Sequence, residues 1–168
     1  DSTAASYLKY SPLFGRPPAF ENAIIQSIAG GNTMIFNHLT KQLVIDSSHA
    51  HAIGSLPSHD WWIYILVSGH GGSIKYDPEA HILYRQHSKN IVGTNVGLRA
   101  KTLRLIYLKK GMFRNWNQLN ITALHKCRAL LTAEANNAFE DFVDIRDAKL
   151  SKRLRHLFKN QFYRQTLL

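Results

Sequence analysis

Between Pro57 and Asn90 the chain gathers the side chains best suited to chemistry. His59-Asp60-Trp61-Trp62 sets an imidazole and a carboxylate beside two indoles, and Arg85-Gln86-His87 sets a guanidinium and a second imidazole two residues apart. A carboxylate within hydrogen-bond reach of a hydroxyl can take its proton as that oxygen attacks. An arginine offers a fixed fork of donors suited to phosphate, and a neutral imidazole can complete the coordination of a divalent ion. In an extended segment residues 85 and 87 share one face. Plainer readings stand beside these: Asp60 as an ordinary helix cap, and Arg85 with His87 as a solvated basic pair after a strand. His49, His51 and His59 raise the thought of zinc, but no cysteine partner or tight four-ligand spacing accompanies them.

The elements that must position these residues follow from local signals. Pro57-Ser58 and the acid Asp60 precede the apolar run Trp61–Val67, the pattern of a helix N-terminus. Ser68-Gly69-His70-Gly71-Gly72 can stop that helix, because glycine takes the left-handed conformation at low cost. Ser73–Tyr76 alternates, Asp77-Pro78 breaks the chain, and His81–Tyr84 is apolar and leads into Arg85. The expectation is helix, strand, turn, strand.

Upstream, Phe20, Ile24 and Ile28 fall at steps of four and predict an amphipathic helix over Ala19–Ala29, closed by Gly30-Gly31. Asn32–Phe36 reads as a short buried strand and His38–Val44 as the next helix. Downstream, Leu98–Met112 has helical composition, Gly111 and Asn115–Asn120 read as a break, and helices are expected over Ile121–Val143 and Asp147–Phe162.

Composition bounds the whole. A chain of 168 residues with 45% apolar and 19% charged residues is long and apolar enough for a real core. The lone Cys127 excludes an internal disulfide framework and suits a reducing compartment. No apolar window reaches bilayer-spanning length, so a cytoplasmic protein is expected, peripheral at most at the inner face of the plasma membrane. The chain begins at Asp1 and its first methionine is Met34, which suggests a piece of something longer.

The net charge of +10 is localised: Ala80–Ala133 holds ten Lys and Arg residues and no Asp or Glu. Such a stretch attracts a polyanion, a diphosphate or an anionic membrane surface, or simply solvates a helix face. A non-catalytic basic module docking to a membrane or to nucleic acid is therefore the alternative reading. Nucleic acid is not expected, because the basic residues are not interleaved with aromatics in a recognition motif.

Four blocks, taken together and in order, resemble the second half of a bacterial family 2 glycosyltransferase, most nearly the rhamnosyltransferases of surface-polysaccharide assembly. They are Gly30-Gly31-Asn32-Thr33-Met34-Ile35-Phe36-Asn37, His59-Asp60-Trp61-Trp62, Tyr76-Asp77-Pro78-Glu79, and Leu83-Tyr84-Arg85-Gln86-His87 with Asn90. The resemblance implies an α/β fold: an incomplete GT-A-like nucleotide-sugar transferase half over residues 1–97, followed by an all-helical basic extension over residues 98–168. It implies an inverting transfer from a nucleoside diphosphate sugar, dTDP-rhamnose by likeness, to a glycan or lipid-linked acceptor. Asp60 matches the catalytic base. Asn32 and Thr33 match the block lining the sugar site, and His87 matches a residue at the metal, magnesium or manganese, or at the leaving diphosphate, with Arg85 as its companion. His59 is taken as a further substrate-binding residue, and one of Trp61 and Trp62, Trp61 for choice, can stack on a sugar ring unless both are core. No Asp-x-Asp motif occurs in the chain, so the donor-binding half is expected to lie outside it and the chain alone to be inactive. An incomplete sheet would expose an edge, which predicts self-association.

Overall fold

The computed structural model describes residues 13–28, 30–50, 56–82, 106–107, 110–149 and 162–165. Its regular elements are α1 (Phe20–Ala23), α2 (His38–His49), α3 (His59–Gly69), α4 (Met112–Lys126) and α5 (Ala133–Asp147), with a 3-10 turn at Arg128–Leu130 between the last two. Among the described residues there is no strand and no sheet, which overturns the expected α/β half. Residues 32–36 are short and apolar as a buried strand would be, and residues 73–76 alternate, yet no described segment pairs with either. A strand is stable only as a member of a ladder. The expected strand at 81–84 is coil at its first two residues and otherwise lies outside the described residues, as does the expected boundary at residue 97.

Helix α3 is the centre. Its six consecutive residues Trp61, Trp62, Ile63, Tyr64, Ile65 and Leu66 are all buried, so over these residues it is wrapped on every side, and its first turn, at His59 and Asp60, reaches solvent. The core cluster sets Trp61, Trp62, Ile65 and Leu66 with Phe20 and Ile24 near α1, Leu43 from α2, Ile121 and Leu124 from α4, and Ala138 and Phe139 from α5. Buried polar groups stitch these layers. Trp62 Nε1 donates to Ser47 Oγ on α2 at 3.3 Å, and Asn117 on α4 donates to the Ile24 carbonyl at 2.9 Å.

The ends of α3 are written locally. At its C-terminus Gly71 takes φ +80°. Gly72 N–H reaches the Val67 carbonyl at 2.8 Å, and Gly71 N–H reaches that of Ser68 at 3.3 Å. That is a Schellman motif, and it requires the left-handed residue that glycine supplies cheaply. The Thr132 N–H then bonds the Gly69 carbonyl at 2.9 Å, and His70 Nδ1 bonds the Leu130 carbonyl at 2.6 Å, so this end is pinned to the turn before α5.

Several sequence boundaries move. The expected helix over 19–29 ends as α1 at Ala23. The expected break at Asn115–Asn120 lies inside α4, and the expected helix over 121–143 is divided by the turn at Arg128–Leu130. Two asparagines on α4 face inward, where Asn117 finds a carbonyl and Asn120 is buried; tertiary burial overrides their weak helix propensity. No helix among the described residues is long and apolar enough to cross a membrane.

Candidate functional site

The glycine turn of residues 30–33 meets the first turn of α3. The turn closes on itself: Thr33 N–H and Thr33 Oγ both donate to the Gly30 carbonyl at 2.9 Å. Its next amide faces outward, and Gly31 N–H donates to Asp60 Oδ2 at 3.1 Å. The other carboxylate oxygen, Oδ1, accepts from Trp61 N–H at 2.8 Å. Ser58 is the N-cap residue but makes no side-chain capping bond. Asp60 therefore does part of the capping, where the positive end of the helix favours an anion.

Capping does not exhaust the carboxylate. An ionised carboxylate has about four lone-pair sites, and Asp60 has two backbone donors and is only half-buried. Each oxygen can accept one more donor from the solvent side. Beside it the exposed His59 lays its ring over Gly31, so close that a Cβ built on Gly31 would meet Nε2 at 2.3 Å.

Asn32, Thr33, His59 and Asp60 are thus brought to one surface, and both Asn32 and Thr33 are exposed there. Trp61 goes the other way. It is 6% exposed, and its Nε1 donates to the Ala23 carbonyl at 2.7 Å; in this packing the ring is core, with no open face for a sugar. Arg85 and His87 lie outside the described residues. Gly31 is not among the site residues expected from sequence; the Gly30-Gly31 pair allows close backbone approach and is explained equally well as a helix stop.

Among the described residues no three His, Cys, Asp or Glu side chains gather into a group able to hold a metal ion. A groove of about 300 Å³ lies at the far end of α3, lined by Pro18, Phe20, Ser68, Gly71 and Thr132 among others. It is one helix length, roughly 16 Å, from Asp60.

Comparison with known proteins gives a partial likeness. The chain is 32% identical over 85 residues to the dTDP-rhamnosyl transferase RfbG of Shigella flexneri, a match covering 50% of this chain and 27% of that protein. The chain thus spans about a quarter of the length of the curated relative it matches. The similarity relates part of the chain to a glycosyltransferase. No family model matches the chain, and no solved structure matches it.

Proposed function

We propose that this chain is the acceptor-side, base-carrying part of an inverting family 2 glycosyltransferase, with Asp60 as the general base. The observation that carries the reading is the Asp60 carboxylate, held at both oxygens by backbone amides yet open to solvent beside Asn32, Thr33 and His59. The reaction is a displacement at the anomeric carbon. The acceptor hydroxyl gives its proton to Asp60 as its oxygen bonds that carbon, and the bond to the nucleoside diphosphate breaks on the opposite face. The protonated carboxyl then returns its proton to solvent. A base so fixed needs no reorganisation when the acceptor arrives.

The sugar suggested by the relative's name is rhamnose carried on dTDP, and the acceptor is a glycan or a lipid-linked glycan. Magnesium or manganese, with His87 as a ligand and Arg85 on the leaving diphosphate, belongs to this reading by resemblance; the described residues supply no ligand set for such an ion.

The experiment is sugar transfer by the full-length natural polypeptide that includes these residues, assayed against a panel of nucleoside diphosphate sugars and compared with Asp60→Asn. Turnover is expected to fall by roughly 10²- to 10⁴-fold, the usual worth of a positioned base, with donor binding retained. Normal turnover by Asp60→Asn would leave Asp60 a helix cap and sink the proposal.

A further inference from the structure

Gly31 touches both α3 residues of the site at once. Its amide donates to Asp60 Oδ2 at 3.1 Å. Its bare Cα underlies the His59 imidazole, so that a Cβ there would sit 2.3 Å from Nε2 and 2.9 Å from Cε1. Gly30 has no such role, since a Cβ on it would meet only the Thr33 hydroxyl and the Asn32 side-chain oxygen, at 3.3 and 3.4 Å. We propose that Gly31 is the positioning residue of this site, fixing the Asp60 carboxylate through its amide and seating the His59 ring through its missing side chain. The inference rests on the reading of Asp60 as the base.

The physical argument has two halves. The last torsion of an aspartate is broad and roughly two-fold, so one donor from the next residue leaves the carboxylate free to swing. A second donor from a separate segment holds both oxygens. The His59 ring, in turn, is exposed and has no hydrogen bond among the described residues, so the floor beneath it is what places it. An alanine at position 31 keeps the amide but occupies that floor. The atom in the way is the far end of an exposed ring, so the ring yields and the backbone stays. Gly31→Ala therefore acts through His59 and leaves Asp60 held.

Two readouts test this. The first needs no activity: hydrogen exchange at the Gly31 amide should quicken roughly three- to tenfold in Asp60→Ala, the worth of one net hydrogen bond, and His59 ring resonances should shift in Gly31→Ala. An unchanged exchange rate or unmoved ring resonances would overturn the corresponding contact. The second is transfer by the full-length polypeptide. Gly31→Ala should lower kcat/KM for the acceptor roughly tenfold to a hundredfold, as small misplacements do, with the donor KM unchanged. In a His59→Ala background the same substitution should cost nothing further, because the ring it displaces is gone. Additive losses, or wild-type transfer by Gly31→Ala, overturn the seating of His59. If the wild type transfers no sugar, the reading of Asp60 as base fails, while exchange and ring resonances still decide the role of Gly31.

Discussion

The indole nitrogen of Trp61 donates a 2.7 Å hydrogen bond to the carbonyl of Ala23, 38 positions earlier in the chain. Ala23 is the last residue of α1, where helix carbonyls have no partner within the helix. One side chain thus satisfies a buried acceptor and fixes the rotation of α3 about its axis. Asp60 is the neighbour of Trp61, so the same bond sets where the carboxylate emerges.

Trp61→Phe keeps most of the ring and deletes the donor, leaving the Ala23 carbonyl buried and unpaired. The expected loss is about 1–3 kcal/mol, against about 3–5 kcal/mol for Trp61→Ala, which also opens a cavity. Urea unfolding of both variants measures this. A Trp61→Phe midpoint equal to wild type, at equal slope, would mean that the bond contributes nothing net.

Tyr64 makes stability depend on alkaline pH. Burial, the main cause, pushes its phenol up from 10.0 to about 12; the hydrogen bond from the Ala19 amide lowers it, and the charges of Tyr163 and Glu21 add to the rise. The folded pKa is therefore above the unfolded one. The stability that this gives is complete below pH 10 and drains away as the pH climbs towards about 12, because the unfolded chain releases its proton first. Urea midpoints taken across that window should fall in the wild type. Tyr64→Phe should start lower, losing the bond to the Asn22 side chain at 2.9 Å, and then fall less steeply. A variant slope as steep as the wild type would assign the titration elsewhere.

Gly69 closes α3 against two side chains that cannot step aside. A Cβ there would sit 2.7 Å from Leu131 Cδ2 and 2.9 Å from Phe20 Cε2, and both residues are buried. Gly69→Ala gains about 1 kcal/mol of helix propensity and loses about 1–3 kcal/mol to overpacking. The overpacking wins, and thermal unfolding should come roughly 2–4 °C earlier for each 1 kcal/mol of net loss. Combining it with Leu131→Ala should recover part of the propensity gain. A more stable Gly69→Ala would show that this packing relaxes freely.

The helix boundaries that frame the candidate site were legible because their signals are local. The start of α3 is announced by Pro57-Ser58 and by Asp60, and its stop by Gly69, Gly71 and Gly72, which do here what those residue types do anywhere. The start of α2 at His38 was legible for the same reason, since Asn37 caps it by accepting from Thr40 N–H at 3.0 Å. The pairing of Asp60 with Gly31 was not, although both residues lay in blocks already singled out. Nothing within either block says that the two meet 29 positions apart.

By itself, then, the sequence determined where α2 begins and where α3 begins and ends, which acid stands at the head of α3, and the partial likeness to a rhamnosyltransferase; the helix expected over His38–Val44 runs on to His49. Only the tertiary structure decided that Trp61 faces the core while Asp60 faces out, and that Asn117 and Asn120 lie within a helix instead of breaking it. It also decided that residues 32–36 and 73–76 make no ladder among the described residues. Caps and glycine stops depend on φ and ψ over a few adjacent residues, and these are encoded where they act. A ladder, a buried donor and a side chain's facing depend on what the rest of the chain brings alongside.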